Sequence, residues 1–244
     1  MTGLFRKLRK YFLSQGKTRQ YLTYGLGEIL LVTIGILIAI QINGIYEDNA
    51  DRKKEKEYLE AYRADLLNNL VELDRVICKS EGTLQSMDSI LKWSQIGPPK
   101  TVDGMVEGTI IKVGFYTIFS SSDGTIEDIL GSADVKIITE DKLRQSIVSW
   151  ESNLKQVKEW QRLGEGSAQD GMTYLMQHTP LYKNTLNKAF LNKELVDKLL
   201  SDQYFLNIAD NQGTVAFSLI DYYKEIQANH WTLIEIIDKN LTNE

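Results

Sequence analysis

YGLGEILLVTIGILIAIQINGI, residues 24–45, is a near-continuous apolar run with one carboxylate, Glu28, close to its start. About 20 apolar residues suffice to cross a bilayer core of roughly 30 Å as a single helix. Nothing downstream approaches that length. The stretch therefore predicts one transmembrane helix over residues 21–45, with a basic amphipathic segment at 1–20 and a soluble domain at 46–244. The composition agrees with a single span on a mostly solvated protein, because 25% of the residues are charged and the mean hydropathy is −0.26, too polar for a multi-span transporter.

Charge sets the expected orientation. Arg6, Lys7, Arg9, Lys10, Lys17 and Arg19 precede the span with no acidic residue among them, while Glu47, Asp48 and Asp51 follow it. The positive-inside rule then places the amino terminus in the cytoplasm and residues 46–244 in the periplasm. The chain carries a net charge of −5 despite that basic leader, so the outer part is strongly acidic. Nucleic-acid binding, which needs clustered cations, is disfavoured. A cleaved signal peptide is the rival interpretation, but the segment is too long and Ile38-Ala39-Ile40-Gln41-Ile42-Asn43 offers no small-residue cleavage site. Leu4, Phe5, Leu8, Tyr11 and Phe12 alternate with the bases at helical spacing, which suits a helix lying on an anionic inner leaflet. The expected cytoplasmic part is about 20 residues, too short for a catalytic output domain.

Within the span, Glu28 lies about one turn from the cytoplasmic boundary, where an ionised carboxylate costs a few kcal/mol unless it snorkels, pairs or meets water. It either pairs with Lys17 or Arg19 at the headgroups or faces a partner helix in ion movement. Gln41 and Asn43 are polar residues near the outer end, placed to lie at the interface or to bond across helices. Gly27, Gly35 and Ala39 fall on a related face, and Gly35 with Ala39 makes a small-xxx-small pair that permits close approach of another helix.

Beyond the span the expected fold is mainly α: the transmembrane helix continues into a long amphipathic helix, with an antiparallel helical bundle outside the membrane. Leu66, Leu70, Leu73, Ile77, Leu84, Met87 and Leu91 alternate at spacings of four and three, with Ser80 as the one polar position. Either a parallel coiled coil between chains or an intrachain bundle produces such a seam, and the further helices available in this chain favour the second. Gly97-Pro98-Pro99 ends that helix. Residues 113–119 suit a short strand or an extended crossover. Ser122 or Asp123 caps a short helix carrying Ile126, Ile129 and Leu130, stopped by Gly131. A longer helix starts near Thr139 with the stripe Leu143, Ile147, Trp150, Leu154 and Val157. Gly164 and Gly166 read as punctuation, ahead of a helix at 172–178 that stops at Pro180. Two more helices, 192–209 and 213–241, are separated by Asp210-Asn211-Gln212, which gives four long helices in all. The last presents Val215, Leu219, Tyr222, Ile226, His230, Leu233 and Ile237 on one face.

The chemistry-bearing residues are few. Cys78 is the only cysteine, expected half-buried and inert, and His178 and His230 are the only histidines, expected to be structural. No H-x-x-x-H or H-E-x-x-H spacing, Walker lysine, dinucleotide fingerprint or nucleophile elbow is present. Glu140 and Asp141 read as surface charges at a helix start. The sequence thus singles out no catalytic, cofactor-binding or metal-ligating residue and no cofactor.

Ser14-Gln15-Gly16-Lys17-Thr18, Tyr21-Leu22, Gly27-Glu28-Ile29, Ile34-Gly35-Ile36-Leu37-Ile38-Ala39 and Gln41-Ile42-Asn43 together resemble an uncharacterised family of single-span inner-membrane proteins from diderm bacteria. The likeness continues more weakly at Leu130-Gly131-Ser132, Ile137-Ile138 and Leu143-Arg144. Family members often carry Trp after the Asn at the exit, where this chain has Gly44 and Ile45. The resemblance implies an inner-membrane anchor with a helical periplasmic domain and brings no known activity, cofactor or catalytic residue. The resulting expectation is a non-enzymatic interaction or scaffold protein of the envelope, in contact with membrane lipid and either a homo-oligomer or bound to another envelope membrane protein. A subunit of an ion-linked membrane complex using Glu28, and a periplasmic ligand sensor, are the alternatives.

Overall fold

The computed structural model describes residues 18–186 and 188–242. The expected helix at Leu4 to Phe12, and the pairing of Glu28 with Lys17 or Arg19, lie outside the described residues and side chains. The described residues form seven α-helices and no strand: α1 Thr18–Ile96, α2 Gly104–Ile111, α3 Gly124–Gly131, α4 Asp141–His178, α5 Tyr182–Thr185, α6 Lys193–Ser201 and α7 Gln203–Thr242. Short 3-10 turns occupy Lys112–Gly114 and Asp134–Ile137. The chain divides into two compact units, Met1–Glu55 and Lys56–Glu244, with α1 contributing to both.

In the first unit no described residue covers the apolar part of α1. Its most apolar 18-residue window has a mean hydropathy of 2.2 and is 0% buried. Polar groups there are satisfied locally, Thr33 donating to the Ile29 carbonyl at 2.8 Å and Asn43 to the Glu47 carboxylate at 2.8 Å.

The second unit is a bundle whose topology follows from its pairings. Arg63 meets Asp238, Gln227 donates to Asp74 and Lys224 meets Glu81, so α1 and α7 run antiparallel. Trp150 against His230, Gln161 against Tyr223 and Gly164 against Val215 set α4 antiparallel to α7. Residues 115–123 fill the remaining place as an extended strap rather than a helix. The strap takes side-chain donors instead of ladder bonds: Arg75 to the Ile118 carbonyl at 3.2 Å, Gln212 to Phe115 at 2.6 Å, Gln161 to Phe119 at 3.4 Å and Asn69 to Ser122 at 2.9 Å. Asn69 also accepts the Ser122 N–H at 2.6 Å, closing a two-way clamp on one peptide unit. The extended crossover expected over 113–119 holds from Phe115 on, residues 113 and 114 belonging to the 3-10 turn, while the strand and the fourth long helix are absent among the described residues. Backbone polar groups must bond to something, and here polar side chains of the flanking helices take the place of a neighbouring strand.

The leucine seam packs within the chain. Leu66, Leu70, Leu73 and Ile77 join Ile147, Leu154, Leu219 and Ile237 in one apolar cluster. Met87 and Ile90 join Val106, Ile110, Leu175, Phe205 and Ile208 in a second. Leu84 and Leu91 are only half-buried, while Val76 and Ile90 take fully buried positions beside the predicted seam. Two predicted breaks are absent. α4 continues through Gly164 and Gly166 to His178, and α7 continues through Asp210-Asn211-Gln212. The actual interruption falls earlier, at Asp202, whose carboxylate accepts the Tyr204 and Phe205 N–H groups at 2.8 and 3.3 Å and caps α7. Cys78 is exposed rather than half-buried.

One carboxylate fastens the connection between α5 and α6. Glu107 Oε1 on α2 accepts the backbone N–H groups of both Phe190 and Leu191, at 2.7 and 2.8 Å, which seats those two apolar side chains in the second cluster. Glu107→Ala leaves two half-buried donors unmet and is expected to cost about 1–2 kcal/mol. Hydrogen exchange checks this: the Phe190 and Leu191 amides speed up in Glu107→Ala and do so less in Glu107→Gln, which keeps an acceptor. Unchanged exchange at both amides in Glu107→Ala would refute it.

Candidate functional site

Two places carry features that folding alone leaves open. The first is the apolar part of α1. Twelve large aliphatic side chains from Leu26 to Ile45 stand 47–74% exposed. Each forgoes roughly 1.5–3 kcal/mol if left in water. The sum, on the order of 20–35 kcal/mol, exceeds the whole stability of about 5–15 kcal/mol typical of a folded protein. Such a face needs a cover. Glu28 is exposed on it and forms no hydrogen bond or ion pair among the described residues. Gln41 and Asn43 are likewise exposed, at the other end of the run. A side chain built at Gly27 or Gly35 meets nothing within 4 Å, and Ala39 is exposed, so the small-residue face is open along its length.

The second place is the waist of the bundle, between the two apolar clusters. Here α4 presents Gly164, Ser167, Ala168 and Gly171, all buried. A Cβ on Gly171 would lie 2.2 Å from the Val113 carbonyl oxygen, and one on Gly114 would lie 2.7 Å from the Met172 side chain. Lack of side chains at these positions lets the end of the 3-10 turn and the strap lie directly on α4. Polar side chains cluster at the same level: Ser80 on α1, Gln161 on α4 and Gln212 on α7 are all buried. Gln161 donates to the Tyr223 hydroxyl at 2.9 Å. Burial raises the Tyr223 pKa despite that bond. Sequence reasoning missed the waist because it took the glycines for loop residues. The usable signal was their spacing, which continues the α4 stripe.

The remaining polar groups belong to the scaffold. Burial pushes the Asp65 carboxyl up, but bonds from Thr125 and Ser122 outweigh it and hold the group below its usual range, which ties α3 to α1. Burial, reinforced by the hydrogen bond to Asp202 at 2.7 Å, raises the Tyr174 hydroxyl, and the ring stacks on His178 at 4.0 Å. His178 Nδ1 lies 2.9 Å from the Tyr174 carbonyl oxygen. His230 is 0% exposed, has no hydrogen-bond partner at either ring nitrogen and lies 5.3 Å from the Trp150 ring. Glu140 and Asp141 serve the start of α4, Glu140 by accepting from Lys142 N and Asp141 by pairing with Arg144. No group of three or more His, Cys, Asp or Glu side chains among the described residues is arranged to hold a metal ion.

Residues 28–101 match the model of a family of unknown function, DUF6090. The match begins at Glu28, takes in the rest of the apolar run and the amphipathic part of α1, and ends just past Gly97-Pro98-Pro99. It covers less than a third of the chain and leaves out the segment from Leu130 to Arg144. An uncharacterised family is thus supported from Glu28 to residue 101, while the resembling residues from Ser14 to Gly27 lie outside the match. No curated protein and no solved structure matches the chain.

Proposed function

We propose that this chain is a single-span, non-enzymatic scaffold or interaction protein of the bacterial envelope, anchored in the inner membrane by residues 21–45 with its bundle in the periplasm. The observation that carries it is the apolar helix whose twelve large side chains stand exposed, uncovered by any described residue. A soluble core helix would be buried, and a bilayer supplies the cover this one lacks. The bundle, acidic and stabilised within one chain, then acts as the part that meets a second copy or another envelope protein. Single-cysteine chemistry tests the topology. Cys78 is exposed, so a membrane-impermeant maleimide is expected to label it in intact spheroplasts, and labelling only after lysis would reverse the orientation. Deleting residues 56–244 is expected to abolish partner capture, and full capture by the anchor alone would defeat the scaffold reading.

Glu28 supports a second reading, an ion-linked membrane complex, because it is a carboxylate on the apolar face without a partner among the described residues. An ionised group there requires water or a cation from another subunit. Glu28→Gln is expected to abolish that activity while assembly persists, and full activity in the variant would remove this reading. A ligand sensor has less behind it. The hollow at the waist measures about 20 Å³, far below the roughly 300 Å³ at which small-molecule pockets begin, and the larger hollows, about 490 Å³ beside Trp160 and about 400 Å³ beside Tyr174, lie open to solvent rather than enclosed.

A further inference from the structure

Three facts about the waist point to one occupant. The cavity there, about 20 Å³ in volume, is lined by residues from four segments of the bundle: Ser80 of α1, Thr117 of the strap, Gly164 of α4 and Gln212 of α7 among them. Gln212 is 2% exposed, and its amide is half-used: Nε2 donates to the Phe115 carbonyl at 2.6 Å, while Oε1 accepts from no protein group. Three aliphatic hydroxyl residues, Ser80, Thr83 and Thr117, line the same cavity beside Tyr116.

We infer that this cavity binds a single water molecule that donates to Gln212 Oε1 and bridges it to the hydroxyls of α1 and the strap. The volume selects the ligand. One water needs roughly 10–15 Å³ of such space, so about 20 Å³ holds a water and leaves no room for a larger ligand. The chemistry agrees, because a buried water is retained where it finds two to four polar partners, and a buried carboxamide oxygen left unmet is costly. A metal cation is disfavoured because no charged side chain lines the cavity. An apolar occupant would leave Gln212 Oε1 unpaired.

The cause lies in two sequence features. Ser80 interrupts the leucine seam, and Gly164 removes a side chain from the facing helix, so the two apolar clusters cannot close on each other at this level. A water there meets the Gln212 Oε1 atom and links α1 to the strap and α7 beside the Gln212 to Phe115 bond.

A crystal structure of the full-length protein at better than about 2 Å tests this. The expected result is one density peak at a hydrogen-bond distance of about 2.6–3.2 Å from Gln212 Oε1 and from at least one of the Ser80, Thr83 and Thr117 hydroxyls. Ser80→Val fills the space and is expected to lose the peak while the Gln212 to Phe115 bond stays. A cavity without density, density that persists unchanged in Ser80→Val, or a peak whose height follows the choice of sodium or potassium in the buffer would each overturn the assignment.

Discussion

Gly171→Ala is expected to lower the thermal midpoint of the protein by roughly 4–10 °C, while Gly166→Ala, five residues earlier in the same helix, leaves it unchanged or raises it. Both substitutions remove a helix-interior glycine, which by itself stabilises by about 0.5–1 kcal/mol. They differ in what the new methyl meets. At Gly166 there is nothing within 4 Å. At Gly171 it falls 2.2 Å from the Val113 oxygen and 2.7 Å from the Val113 carbon, both backbone atoms of the 3-10 turn. A backbone cannot rotate aside as a side-chain tip does, so α4 must shift off the turn and give up packing around Val113 and Leu175. Overpacking of this kind costs about 3 kcal/mol. A domain of nearly 200 residues loses roughly 2–4 °C per kcal/mol. Circular dichroism melts of the two variants in the same detergent give the comparison. Equal midpoints would show that α4 does not rest on the turn.

That waist is also where the sequence was least legible. The α4 stripe does not stop at Val157: Gln161, Gly164, Ala168, Gly171 and Leu175 carry the same alternation of four and three to the end of the helix. Glycine has low helix propensity, and weighing propensity above periodicity breaks the helix at Gly164. Tertiary packing overrides that preference, because the glycines occupy the positions where another backbone must come close. α7 repeats the error at Gln212, which stands in step between Ile208 and Val215. A polar residue in a seam position reads as a loop until its partner, the Phe115 carbonyl of the strap, is known. The strap was hidden for the same reason. Its order comes from Asn69, Arg75, Gln161 and Gln212, which lie far apart along the chain, and no local pattern encodes such an alliance. By contrast, the apolar run and the leucine seam were plain. One physical requirement governs each: unbroken apolar length for the run, and a 3.5-residue repeat against a core for the seam. The setting of Glu28 was legible only as a position, since what faces it belongs to no described part of this chain.

Acid is expected to weaken the bundle through His230, by about 3 kcal/mol between pH 7 and pH 4. Burial holds this imidazole neutral, lowering its pKa from 6.5 to about 4. Both ring nitrogens are shut off from solvent and from any donor or acceptor in the bundle, with Trp150 against the ring. Because the folded protein resists protonation and the unfolded chain does not, the stability associated with the neutral ring is complete above about pH 6.5. It declines as pH falls toward 4, at roughly 1.36 kcal/mol per pH unit. His230→Leu keeps a side chain of similar volume and removes the titration. It also removes two buried polar atoms without partners, so at pH 7 the variant is expected to be at least as stable as the wild type. Carboxylates held low by hydrogen bonds, such as Asp65 and Glu72, weaken both proteins alike at still lower pH and cancel in the difference. Denaturant midpoints measured from pH 7 to pH 4 therefore isolate the histidine: the wild-type midpoint falls relative to that of His230→Leu, and parallel curves would mean that His230 finds a partner or solvent that the bundle denies it.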